Sequence, residues 1–100
     1  KSVIRKFESF LKECKKENIP VVFVYVPFYI EATQKTPDLK GIQGTFGKLA
    51  EKYGCEVLDY TYHPLSYDTC YFYNAQHLNS KGADIFTKQL AKDLDSLDVL

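Results

Sequence analysis

The sequence predicts an α/β fold with a parallel sheet, and three observations carry that expectation. "VVFVYV" (Val21 to Val26) is an unbroken apolar, largely β-branched run without alternation, which suits a strand buried on both faces. Stretches on either side repeat apolar residues at helical spacing, so helices alternate with strands. The resulting order is helix, strand, helix, strand, helix, and a strand–helix–strand connection implies a right-handed parallel crossover.

Each element has its own reason. Val3, Ile4, Phe7, Phe10, Leu11 and Cys14 recur on one helical face with Lys and Glu opposite, predicting a helix from about Ser2 to Glu17. "NIP" stops it, because proline disfavours helix at the residue before it. The strand Val21 to Val26 follows, then "PFYIEATQK" reads as a loop. "TPDLKG" opens a second helix with Thr36 as N-cap and Pro37 at the first helical position. Leu39, Ile42, Phe46, Leu49, Ala50 and Tyr53 share its apolar face, and Gly54 stands where a left-handed C-terminal cap belongs. "CEVLDY" is a second, shorter strand, and a long polar-aromatic loop runs from Thr61 to Leu78. Asn79 or Ser80 caps the last helix, whose core stripe is Ala83, Phe86, Leu90, Leu94 and Leu97.

A chain of 100 residues allows one small domain, and no repeat or linker divides residues 1–100. Two strands buried on both faces do not finish a sheet, since parallel sheets are extended by neighbours and covered by helices. The expectation is therefore the carboxyl part of a larger three-layer α/β/α domain, or a sheet completed by another chain.

Composition excludes several classes. Thirteen basic residues balance thirteen acidic ones, without the basic excess of a nucleic-acid binder. No apolar run reaches bilayer-spanning length. The opening "KSVIRKFESF" has no signal-peptide pattern, so any targeting segment is expected outside this stretch. Cys14, Cys55 and Cys70 form no CxxC pair, so neither a metal site nor a compartment is read from them. Gly41, Gly44 and Gly47 recur at steps of three but make no phosphate loop: no Gly-x-Gly-x-x-Gly follows a strand and no Lys-Ser/Thr pair follows them. They read as a weak helix or, more sharply, as a face where another backbone approaches. No cofactor is expected.

The chemistry concentrates in "YFYNAQHLNSKGADIF" (Tyr71 to Phe86). In open α/β sheets ligands bind beyond the carboxyl ends of the strands, and this segment follows the second strand and ends at a helix start. His77 there suits a general base, because imidazole titrates near working pH. Such a base needs its other ring nitrogen held; Asn74 is the nearest local candidate, with Asp68 and Asp59 more distant ones. Tyr25 and Tyr29 flank Pro27 at the other loop over the presumed cleft and, with Tyr73, are candidate substrate contacts, since polar-tipped rings suit carbohydrate. The bland alternatives are a helix-capping His77 and tyrosines that pack on the sheet edge. His63 reads as a surface-loop residue.

"FYNAQHLNSKGADIFTKQLAKDL" resembles the C-terminal block of the SGNH/GDSL hydrolases, where Asp-x-x-His precedes the last helix. The "HLNxxGAxxF" continuation is most similar to bacterial cell-envelope acyl-transfer and esterase branches related to alginate acetylation and D-alanylation. "VVFVYVPFY" resembles the family's strand ahead of that block, so the likeness runs from Ile19 to about Leu94. It implies a flavodoxin-like parallel sheet of which this is the later part, His77 as catalytic histidine, and Asn74 in the position usually held by aspartate. The nucleophilic serine and oxyanion hole belong to the family's earlier half; Ser2, Ser9, Ser66, Ser80 and Ser96 lack its serine context. The implied activity is a serine esterase or O-acyl hydrolase/transferase acting on acylated carbohydrate at the cell envelope, completed by an N-terminal half or partner chain and inactive as this stretch alone. The alternative is a non-catalytic descendant that binds glycan or protein, for which Asn74 is the main support. A flavodoxin-like signalling or nucleotide-binding module shares the architecture but finds none of its motifs here.

Overall fold

The structure is a computed structural model that describes residues 2–98. Helices and short strands follow in the order α1 (Ser2–Lys16), β1 (Val22–Tyr25), α2 (Ile30–Gln34), α3 (Leu39–Tyr53), β2 (Glu56–Asp59), β3 (Phe72–Asn74), β4 (His77–Leu78) and α4 (Ser80–Ser96). The chain is thus of mixed helix and strand, with β1 beside β2 in one two-stranded sheet and β3 beside β4 in another. It divides into two compact units. One comprises the stretch up to Val24 and Asp38–Leu58; the other comprises Tyr25–Pro37 and everything from Asp59 onward.

The first unit is held by α1, α3 and the strand residues between them. Leu11, Phe23, Leu49 and Ala50 form its buried centre, with Ile4, Phe7, Val21, Phe46, Tyr53 and Cys55 packed around it. Phe7 meets Phe23 and Phe46 edge-on, each at 5.5 Å between centroids, the geometry that sets a positive ring edge against a negative face. Both helices end in the same way. Asn18 (φ 58°) and Gly54 (φ 68°) take the left-handed conformation. The following N–H groups reach back five residues, Ile19 to the Cys14 carbonyl and Cys55 to the Ala50 carbonyl, each at 2.8 Å. The stop at Gly54 was expected; at Asn18 the left-handed cap, ahead of Pro20, terminates α1. Glu8 on α1 accepts from Lys52 Nζ at 2.7 Å and from the Tyr53 hydroxyl at 2.6 Å, and these two donors hold its carboxyl below the usual range.

Four expectations are corrected. The segment after β1 is not all loop: Ile30–Gln34 forms the one-turn helix α2, too short to display a period. Thr36 does not cap α3; its hydroxyl donates to the Ala32 carbonyl, and Asp38, left-handed at φ 52°, occupies the N-cap. The Asp38 carboxylate folds over Gly41, where a Cβ would collide with it, whereas Gly44 and Gly47 face open space. Gly41 therefore answers a close approach, by a side chain and not by another backbone. Third, neither strand is buried on both faces. β1 buries Phe23 alone, β2 leaves Glu56, Val57 and Asp59 exposed, and Ile42 of the expected α3 stripe is 45 % exposed. A two-stranded sheet has no neighbours to shield it.

The fourth correction is the stretch Thr61 to Leu78, which is ordered throughout. Two 3-10 turns, Pro64–Tyr67 and Thr69–Tyr71, precede the β3–β4 hairpin. Their order comes from side chains that catch the backbone two residues ahead. Asp59 accepts from the Thr61 N–H, His63 from Leu65, Asp68 from Cys70 and Asn74 from Gln76, at 2.9 to 3.1 Å. The buried residues of this second unit include Tyr60, Thr61, Leu65, Ser66 and Phe86, with the Tyr60 ring edge-on to Phe86 at 5.0 Å. Asn79 caps α4 as expected, its side-chain oxygen accepting from the Gly82 N–H at 2.9 Å.

Candidate functional site

His77 and Asn74 face each other across the two-residue turn Ala75–Gln76 of the β3–β4 hairpin, whose register pairs Asn74 with His77 and Phe72 with Leu78. Their side chains meet: His77 Nδ1 lies 2.8 Å from Asn74 Oδ1. The same oxygen accepts the Gln76 backbone N–H at 3.0 Å. That second bond decides the chemistry. A backbone N–H can only donate, so the Asn74 atom in contact with it is the carbonyl oxygen and not the amide nitrogen. An oxygen in that place can only accept from the ring, so His77 carries its proton on Nδ1. In the neutral imidazole the Nε2 lone pair is then available to take a proton. The Asn74 oxygen thus fixes the tautomer that leaves Nε2 without a proton.

The hairpin is anchored at three points. Tyr29, on the loop after β1, donates its N–H to the Ala75 carbonyl at 2.9 Å and packs its ring edge-on to Phe72 at 5.8 Å. Asn79 closes the other end: its N–H reaches the Tyr71 carbonyl at 2.9 Å and its amide nitrogen the Cys70 carbonyl at 2.8 Å. Gly82 lets the first turn of α4 press on this region, since an added Cβ would strike the Tyr71 carbonyl oxygen and sit 2.9 Å from a Leu78 methyl carbon.

The structure brings some candidate residues together and leaves others apart in role. Tyr29 belongs to the His77 hairpin as a clamp. Tyr73 is 82 % exposed and stands out from the hairpin. Tyr25 is half-buried; its carbonyl accepts the Tyr60 N–H at 2.9 Å, and burial, then the nearby Asp59 charge, push its hydroxyl pKa up. Asp59 and Asp68 are engaged elsewhere, Asp59 with the Thr61 N–H and hydroxyl, Asp68 with the Cys70 N–H. The bonds from Cys70 hold the Asp68 carboxyl below its usual range. His63 caps the first 3-10 turn through Nδ1, which accepts from the Leu65 N–H at 3.1 Å, so its proton sits on Nε2, opposite to His77. Sequence reasoning passed over Gln76, Ala75 and Phe72. Only "NAQH" hinted at them, as an asparagine opening a tight turn.

No family model and no curated protein matches this sequence.

Both Asn74 and His77 are exposed, and the His77 side chain hydrogen-bonds to no described residue other than Asn74. Ser66 is fully buried, with its hydroxyl on the Thr61 carbonyl, and Ser96 bonds the Lys92 carbonyl. Neither is paired with the ring. Among the described residues no three His, Cys, Asp or Glu side chains converge as a metal site, and no helix is long and apolar enough to cross a membrane. The arrangement supplies an oriented proton acceptor open to solvent. It does not by itself supply a nucleophile.

Behind the hairpin, α4 is fastened by the Tyr60 hydroxyl, which donates to Asp93 at 2.5 Å. Burial, with the Asp93 bond and charge, pushes Tyr60 up to about 12 from 10.0. A tyrosine raised on folding contributes stability that is complete below its unfolded value and is lost as pH rises through the folded one. The expected result is a steep loss of stability between pH 10.0 and about 12. In Tyr60→Phe that segment flattens and the neutral-pH stability is lower by about 1–2 kcal/mol; denaturant midpoints across this range check both.

Proposed function

We propose that the chain is the histidine-bearing part of an SGNH-type serine esterase or O-acyl hydrolase/transferase that acts on acylated carbohydrate. His77 is the general base that takes the proton from a serine hydroxyl and then the general acid that returns it to the leaving alcohol. Asn74 orients it. The serine and the oxyanion hole come from further polypeptide, which also extends β1 and β2 into a three-layer, flavodoxin-like α/β/α sheet. The exposed strand β2 supports that completion. The observation that carries the reading is the shared oxygen of Asn74, which receives both Gln76 N–H and His77 Nδ1–H and leaves Nε2 as the acceptor. Tyr73, exposed close to His77 in sequence and on the same hairpin, suits a sugar face.

The test is labelling with a serine-directed fluorophosphonate in the protein complete with its nucleophile-bearing part. A label that forms in the parent and disappears in His77→Ala is the expected result. Labelling that survives the substitution removes the base role from His77.

A second reading, a non-catalytic binding module for glycan or a protein, draws on two observations. Asn74 is a neutral amide and gives the imidazolium no charge partner, and Tyr62, Tyr67 and Tyr73 are 62, 57 and 82 % exposed. Under that reading no label forms in the parent, while Tyr73→Ala weakens glycan binding.

A further inference from the structure

The first unit carries a cavity of about 390 Å³ whose walls include two cysteines from distant parts of the sequence. Cys14 lies in the last full turn of α1 and is 7 % exposed; Cys55 stands between the Gly54 cap and β2 and is half-buried. Both are free thiols. Leu11, Val21 and Tyr53 share the cavity wall with them, and Lys15 lies at the same cavity.

The backbones that carry the two sulfurs are placed by matching devices. The Cys14 carbonyl receives the Ile19 N–H and the Cys55 N–H reaches the Ala50 carbonyl, each at 2.8 Å, so the two left-handed helix caps bracket the thiols. Cys55 Sγ makes a weak contact with the Tyr53 carbonyl at 3.9 Å. Burial pushes the Cys55 thiol pKa up, a nearby Cys14 thiolate would push it further, and Lys15 pulls it down. Both cysteines line the one cavity, and that shared wall is the geometric ground for treating them together. Neither cysteine takes part in the site around His77.

We propose that Cys14 and Cys55 form a reversible redox pair that closes to a disulfide under hydrogen peroxide or a related hydroperoxide. Cys55, the more accessible sulfur, attacks as thiolate; the peroxide O–O bond breaks, a sulfenic acid forms and hydroxide leaves. The Cys14 thiol then displaces the sulfenic oxygen as water. In sum two thiols are oxidised and one peroxide is reduced, giving one disulfide and two waters. A dithiol reductant reverses the step. Closure ties the end of α1 to the start of β2 and stiffens the frame on which β1 and β2 rest. Because only the thiolate attacks, closure accelerates as pH rises toward the Cys55 pKa.

The experiment exposes the reduced full chain to hydrogen peroxide, quenches it by alkylation, and maps the thiols by intact mass and peptide analysis. The proposal expects a mass loss of two hydrogens, a linked Cys14–Cys55 peptide, an alkylated Cys70, and a melting midpoint higher by roughly 5 °C or more. It also expects dimedone to trap Cys55 sulfenic acid in Cys14→Ser and to find none at Cys14 in Cys55→Ser. Oxygen addition at Cys55 without the linked peptide overturns it. So does a link that uses Cys70 or joins two chains.

Discussion

Under the proposed esterase reading, replacing Asn74 by alanine is expected to lower ester turnover by about 100- to 10,000-fold, the range set by losing the correct histidine tautomer in a triad. The argument is local. Asn74 Oδ1 is the only acceptor that a described residue offers to the His77 ring, and the Gln76 N–H prevents the amide from turning its nitrogen there. Alanine removes both bonds at once, so the ring samples either tautomer and the hairpin turn loosens. Asn74→Asp separates these effects: a carboxylate oxygen can accept from Gln76 and from the ring, and adds the negative charge that stabilises imidazolium. That variant is expected to match or exceed the parent. Nitrogen-15 chemical shifts of His77 check the cause independently of rate. Protonated Nδ1 and bare Nε2 are expected in the parent, and a mixture in Asn74→Ala. Equal turnover in all three proteins removes the positioning role from Asn74.

The second large effect concerns Gly82. A methyl group there meets the Tyr71 carbonyl oxygen and the Leu78 side chain, at the seam between α4 and the hairpin. Backbone cannot rotate out of the way as a side-chain tip can, so Gly82→Ala is expected to cost about 1–3 kcal/mol, or a melting midpoint lower by roughly 5–15 °C. Gly47→Ala is the control, since that position faces open space on α3 and alanine is the better helix former; it is expected to gain about 0.5–1 kcal/mol. A Gly82→Ala protein as stable as the parent means that α4 does not press on Tyr71 as described. His77 is then free to keep its geometry without that contact.

Much of the frame was legible in residue order. The stripes Ile4–Phe7–Leu11–Cys14 and Phe86–Leu90–Leu94 announce α1 and α4, Gly54 and Asn79 mark helix ends, and Val22–Tyr25 reads as a strand. The spacing of Asn74 and His77 also pointed to two side chains that meet in the structure. The misreadings fall where no period operates. α2 spans a single turn, and Thr36-Pro37 imitates a helix start that Asp38 occupies instead. Residues 59–78 are ordered by Asp59, His63, Asp68 and Asn74 catching nearby N–H groups, and such one-at-a-time bonds leave no apolar rhythm.

By itself, the sequence determined where α1, β1, α3, β2 and α4 lie, because burying an apolar stripe imposes a repeat that can be counted; α2, β3 and β4 were not legible. It also offered Asn74 as the nearest local partner for the imidazole, ahead of Asp68 and Asp59. Only the tertiary structure decided which atom of that amide faces the ring, that Tyr29 clamps the turn, and that Gly82 is needed for close packing. Those outcomes depend on hydrogen-bond directions within the turn and on contact distances between separate segments, and neither leaves a trace in residue type.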